Sequence, residues 1–219
     1  MTTTRTRRVF LVAVLVGVGL GVFSQLADGI IEGRLILILG NMAAPWALAA
    51  FVVGFHATSV KEGAVAAAVT LVVGVAVYYL GGAVRGYADS TANLVWTVVA
   101  LIAGPIMGAC GAAVSIHRTR PPIVAVVVPS ATLVAQGLFL LIDANAWRWN
   151  LAAEPYRLNA LGVAVALVVG GFLLARFLLR DAHTRRAGYL FTAVAGVAGA
   201  YGLVVIGRIV LNVISASDG

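Results

Sequence analysis

Charge and reactive side chains are scarce in this chain of 219 residues. It contains one cysteine, Cys110, one lysine, Lys61, three histidines and eight carboxylates. A single thiol closes no internal disulfide, and His56, His117 and His183 stand far apart beside loops, so neither a disulfide framework nor a metal site is expected. There is no acidic run of the DDxxD kind and no cofactor motif. Gly17, Gly19 and Gly21 imitate part of a dinucleotide loop, but they lie inside an apolar stretch with no strand before it. Charged residues make up 11% of the chain against 62% hydrophobic ones, and the mean hydropathy is +1.04. Helices of that composition have no polar face to turn to water, which excludes a soluble domain. No linker or low-complexity tract divides the chain, so residues 1–219 read as a single integral membrane domain.

What is present is a series of seven apolar stretches: Val9 to Ala27, Leu35 to Ala57, Gly63 to Ala83, Ala92 to Ile116, Ile123 to Ile142, Leu158 to Leu179 and Gly188 to Ile214. A transmembrane helix needs about 20 mostly apolar residues, whereas barrel strands are short and alternate in polarity. The expected fold is all-α, a polytopic bundle of seven transmembrane helices in a bacterial inner or plasma membrane. Loops on one side hold Arg5, Arg7, Arg8, Lys61, Arg118, Arg120, Arg180, Arg185 and Arg186 against Glu62 and Asp181. The other side holds Arg34, Arg85, Arg148 and Arg157 against Asp28, Glu32, Asp89, Asp143, Glu154 and Asp218. Positive residues stay in the cytoplasm, which predicts the N-terminus inside and the C-terminus outside. The first stretch is expected to stay as a helix, because Gln25 occupies the minus-three position of a cleavage point after Ala27, where a signal peptidase wants a small residue. The basic loops explain the pI of about 10.3. Spread as they are, they predict anionic membrane lipid, and no nucleic acid, as a partner.

Polar residues gather toward the outer side. Ser24, Gln25 and Asp28 share a face of the first helix, Thr132, Gln136, Phe139 and Asp143 one of the fifth, and Tyr201, Arg208 and Asn212 one of the seventh. Such groups are costly in a bilayer unless they face an interior or a watery cavity, so the three stripes predict a shared outward-opening space. In the second stretch Pro45 removes a donor and crowds the carbonyl of Asn41, which predicts a kink and a freed acceptor there. Aromatics are one-sided as well: Trp46, Tyr78, Tyr79, Tyr87, Trp96, Trp147, Trp149 and Tyr156 all fall to the outer half. Gly17 with Gly21, and Gly104 with Gly108, read as close helix contacts and as faces through which copies of the chain could associate.

Acids, amides and aromatics among apolar helices suit a lipid-soluble small-molecule substrate. One chemistry that needs neither metal nor cofactor is acid-initiated cyclisation of a prenyl chain: a carboxylic acid kept protonated by its setting starts a carbocation, and aromatic faces guide it. Asp28, Asp143, Glu32 and Glu154 are the candidate catalytic acids, and Gln25, Asn41, Trp46, Tyr78, Tyr79, Trp96, Gln136 and Tyr201 the candidate binding residues. In size, span number and acid-plus-aromatic composition the whole chain resembles the small seven-helix membrane terpene cyclases of meroterpenoid synthesis, a resemblance of architecture with no shared motif. The segment NMAAPWALAAFVVG at Asn41 to Gly54 and the Tyr78-Tyr79 pair are similar to a family of small actinobacterial membrane proteins, and 14 arginines to one lysine agree with a GC-rich genome. Two further classes stay open: a solute-binding or transport subunit with an outward pocket, and a membrane scaffold or immunity protein.

Overall fold

The computed structural model describes residues 2–29, 39–40, 42–86, 90–142 and 154–217, of which 2–3, 29, 90, 154–158 and 206–217 are described by their backbone alone. Among the described residues seven helices are delimited: α1 (Thr2–Gly29), α2 (Ala43–Phe55), α3 (Val60–Val84), α4 (Ser90–Ile116), α5 (Ile123–Ile142), α6 (Glu154–Leu178) and α7 (Ala182–Ser217). There is no strand among the described residues. All but α2 are long and apolar enough to cross a membrane, and they turn large side chains such as Leu11, Leu15, Leu101 and Phe177 outward. In a chain this apolar, that outward surface belongs in lipid. The protein is a multi-pass helical membrane bundle.

Local signals explain where several helices stop. Ser59 caps α3 by accepting from the amide of Glu62 at 3.2 Å, and the Glu62 carboxylate accepts from the amide and hydroxyl of Thr58 at 2.6 and 2.5 Å. At the far end of α3, Gly86 takes φ +82°, a conformation that L side chains resist, and its amide reaches back to the carbonyl of Ala83. The second apolar stretch differs from the expected single span. Leu39 and Gly40 are helical, Met42 is extended at φ −97° and ψ 143°, and α2 begins afresh at Ala43 with 13 residues. Pro45 therefore sits in the first turn of a helix, where its missing amide costs no intrahelical bond, and it starts α2 rather than kinking it.

The chain divides into two compact units, Met1–Ala125 and Val126–Gly219. In the first, α1 and α3 run parallel: a Cβ on Gly17 would stand 2.5 Å from the carbonyl oxygen of Thr70, and one on Gly21 2.5 Å from that of Gly74. The expected close contact of Gly17 and Gly21 is thus made within the chain, against α3. Helices α2, α3 and α4 cross backbone to backbone, since a Cβ on Gly54 would meet the Gly108 carbonyl oxygen at 2.2 Å and one on Gly108 that of Gly63 at 2.1 Å. A Cβ on Gly104 would stand 2.7 Å from Cα of Ala68, so α4 is antiparallel to α3. Val9, Ala13, Val53, Ala57, Ala66 and Ala112 form the buried core between these crossings. The directions alternate as the loop charges require, with Arg5, Arg8, His56, Lys61 and Arg118 at one end and Asp28, Tyr78 and Arg85 at the other. Arg118 marks the basic end, its guanidinium carbon lying 5.8 Å from the ring centre of Phe55.

In the second unit α5 and α6 are antiparallel. A Cβ on Gly137 would stand 2.6 Å from the carbonyl oxygen of Ala164, and one on Gly171 2.6 Å from that of Ser130. Gly196 and Gly199 bring α7 alongside Val134 and Ala135 of α5, and the rings of Phe172 and Tyr189 meet edge to face at 6.1 Å. The carboxylate of Asp181 caps α7, accepting from the amides of His183 and Thr184 at 3.1 and 3.0 Å.

Candidate functional site

The last turn of α1 meets the last turns of α3 at the acidic end of the first unit, and a polar cluster forms there. Ser24 and Gln25 both flank Asp28 on one side of α1, because they precede it by four and three residues. On α3 the residues Tyr78, Gly81 and Arg85 recur at three and four, so they share a face as well. Ser24 and Gln25 are buried and Asp28 is half-buried. Buried hydroxyls and amides require partners, and these have them. The Ser24 hydroxyl donates to the carbonyl of Gly40 at 2.8 Å. The side-chain amide of Gln25 donates to the main-chain carbonyl of Tyr78. The phenol of Tyr78 donates to Oδ2 of Asp28 at 2.5 Å, and Arg85 donates to the main-chain carbonyl of Gln25 at 3.2 Å.

Small residues make room for this cluster. A Cβ on Gly81 would stand 2.8 Å from Cγ of Gln25, so the amide chain lies directly on the α3 backbone. A Cβ on Gly40 would stand 2.3 Å from that of Ala27, which brings the chain just ahead of the interruption onto α1. Below the cluster, the indole of Trp46 lies on Gly74, where a Cβ would meet its ring at 2.7 Å. The rings of Tyr78 and Tyr79 pack edge to face at 5.1 Å. One end of the first unit therefore combines an acid, a guanidinium, an amide, a serine hydroxyl, two phenol rings and a broken helix.

Of the residues singled out in the sequence, Gln25, Asp28, Tyr78 and Tyr79 come together here, with Trp46 about two turns deeper. Trp96 does not join them: it stands 48% exposed on α4 among other exposed apolar residues. Gln136 is buried on α5 of the second unit, and the neighbouring Thr132 hydroxyl turns back to the carbonyl of Val128 at 2.9 Å. Tyr201 departs from the expected inward stripe and is 72% exposed. The reason is angular: Gly196, Gly199 and Ala200 turn toward α5, and Tyr201, about 100° further round, ends an outward row of Leu190, Val194 and Val197. Glu32, Asn41 and Asp143 lie outside the described residues, as do the side chains of Glu154, Arg208 and Asn212. No group of three or more metal-binding side chains occurs among the described residues.

Arg85 and Gly81 were not singled out from the sequence. Arg85 entered it as a loop charge bearing on topology, yet its spacing of seven from Tyr78 already placed both on one helix face. The partner of Gln25 is a main-chain carbonyl, which no side-chain pattern reveals.

The model of a family of unknown function, DUF6518, matches residues 1–209, and the chain belongs to that family. No curated protein and no solved structure matches it.

Proposed function

We propose that the outer end of the first unit binds an amphipathic small molecule taken from the membrane, and that the protein serves as a binding or transport subunit for it. The observation that carries this reading is the interruption of the second apolar stretch at Met42, just after Gly40, whose carbonyl accepts from the buried Ser24. Irregular backbone at membrane depth persists only where protein or a polar cavity satisfies it, and transporters bind their substrates at such breaks. Ser24 satisfies the Gly40 carbonyl on one side of the break. Asp28 accepts from Tyr78, so its carboxylate is arranged as an acceptor, suited to a ligand's ammonium or hydroxyl group.

A second reading is acid-initiated cyclisation of a prenylated substrate. The gathering of Tyr78, Tyr79 and Trp46 in the same half as Asp28 favours it, because aromatic faces stabilise a migrating cation. It requires Asp28 to exchange its role from acceptor to proton donor, or the donor to be Glu32, Asp143 or Glu154.

One preparation separates the two. The purified protein is analysed by mass spectrometry for retained amphiphiles, and incubated with farnesylated and geranylgeranylated phenols while ring formation is followed. A retained compound that is lost from Tyr78→Phe, without ring formation, supports the binding reading. Ring formation that is lost in one of the four carboxylate-to-amide variants supports the cyclase. A preparation that retains nothing and cyclises nothing contradicts both.

A further inference from the structure

At the opposite, basic end of the first unit, α1 and the end of α2 enclose an open cleft of about 450 Å³ lined by Arg5, Arg8, Val9, Val12, Val53 and His56. The volume falls within the range of about 300–1,000 Å³ usual for small-molecule sites. Its lining follows from helical spacing. Residues 5, 8, 9 and 12 form one face of α1, and 53 and 56 one face of α2, so the cations rim the mouth and the valines form a floor one to two turns deeper. Val9 and Val53 are buried, while Val12 is 36% exposed. Arg5 lies in the field of Glu62, but both oxygen-directed donors at Oε2 of that carboxylate come from Thr58. Arg8 has no hydrogen bond or ion pair among the described residues.

We infer that this cleft holds one anionic phospholipid of the adjoining leaflet. Its phosphodiester is bound by Arg5, Arg8 and His56, and the start of one acyl chain lies on Val9, Val12 and Val53. The charge pattern calls for a phosphate, since guanidinium groups bind its oxygens through paired donors. The apolar floor calls for a chain attached to it, because a free anion gains nothing from three valines. The position fits too, as the cleft opens at the end of the bundle where cytoplasmic headgroups lie by the loop-charge rule. This inference is independent of the ligand proposed for the outer end.

The test uses the full chain in detergent, with a phosphatidylglycerol and phosphatidylcholine mixture as probe and native mass spectrometry as readout. The wild type is expected to retain one phosphatidylglycerol in preference to phosphatidylcholine. The double variant Arg5→Gln/Arg8→Gln should lose roughly thirtyfold in that retention, as expected for two cations near a lipid surface. Lys61→Gln, which removes an exposed cation outside the cleft, should retain the lipid. Val12→Phe keeps every charge but fills the floor, and should also lose it. Unchanged retention in the double variant overturns the inference. So does an equal loss in Lys61→Gln, which indicates diffuse attraction, or displacement of the lipid by millimolar inorganic phosphate, which indicates a small-anion site. Arg5, Arg8 and Lys61 are all exposed, and equal thermal midpoints across the variants separate lost binding from lost folding.

Discussion

The phenol of Tyr78 donates to the carboxylate of Asp28 at 2.5 Å across 50 residues of sequence. The bond sets α1 against α3 in one register, because Gln25, one turn before Asp28, reaches the main-chain carbonyl of Tyr78, and Arg85 reaches that of Gln25. Two helices already in glycine contact at Gly17 and Gly21 are thereby fixed at their ends as well.

Tyr78→Phe and Asp28→Asn should each destabilise the first unit, and the double variant should cost less than the two together. Interhelical hydrogen bonds in membranes average about 0.6 kcal/mol and reach about 1.7 kcal/mol, and a charged acceptor belongs in the upper part of that range. A coupling of about 1 kcal/mol is expected from unfolding in mixed micelles. Strict additivity contradicts the bond.

Gly108→Ala should be among the most damaging single-methyl changes in the chain, since the added carbon would stand 2.1 Å from a backbone oxygen that no side-chain rotation can move. Overpacking of this kind costs about 1–3 kcal/mol or more. Gly19→Ala meets nothing within 4 Å and should leave the thermal midpoint unchanged or raise it. Equal effects at the two positions contradict the crossing described.

Much of the bundle was legible because hydropathy and loop charge are local properties. The long helices and their alternation in the first unit follow from them, and so does the polar stripe of Ser24, Gln25 and Asp28. Partner choice was less legible. Gly17 and Gly21 announced a close contact without naming α3, and Gly74 gave no sign that it receives Trp46. Pro45 was read as a kink because the stretch around it is continuously apolar, and apolarity does not reveal where Met42 leaves the helix. Tyr201 was assigned to an inward stripe from its own polarity, whereas the small residues beside it decided which face turned inward. His56 read only as a histidine beside a loop, and its cleft needs α1 as the second wall.

The loop charges predict which end of the bundle faces the cytoplasm, and labelling tests it. Val84 is exposed at the end of α3 that carries Arg85, and Lys61 is exposed at its start. The native thiol Cys110 is buried, so an introduced cysteine reports with little background. In intact cells a membrane-impermeant maleimide should label Val84→Cys and spare Lys61→Cys. The reverse pattern would move the polar cluster to the cytoplasmic side.

Asp181 lies outside the membrane-spanning segments, and hydrogen bonds from the Thr184 amide and hydroxyl and the His183 amide hold its carboxyl below the usual aspartate range. A depressed carboxyl stabilises the folded form above its unfolded pKa and loses that contribution as pH falls through the folded one. The first turn of α7 should therefore keep its amide protection at neutral pH and fray only below about pH 4. Asp181→Ala should show the frayed pattern at neutral pH by hydrogen exchange, while an unchanged pattern removes the capping role.

The ligand proposed for the outer end is tested most directly by what the protein carries out of its own membrane. Wild type, Tyr78→Phe and Asp28→Asn are purified in parallel, and their retained small molecules are compared by mass spectrometry at matched thermal stability. One amphiphile should be enriched on the wild type and fall about tenfold or more in both variants, in keeping with the loss of a hydrogen bond to a charged group at about 1.5–3 kcal/mol. Identical profiles from all three proteins would contradict a binding site at Asp28 and Tyr78 and leave the cluster as a fastening between helices.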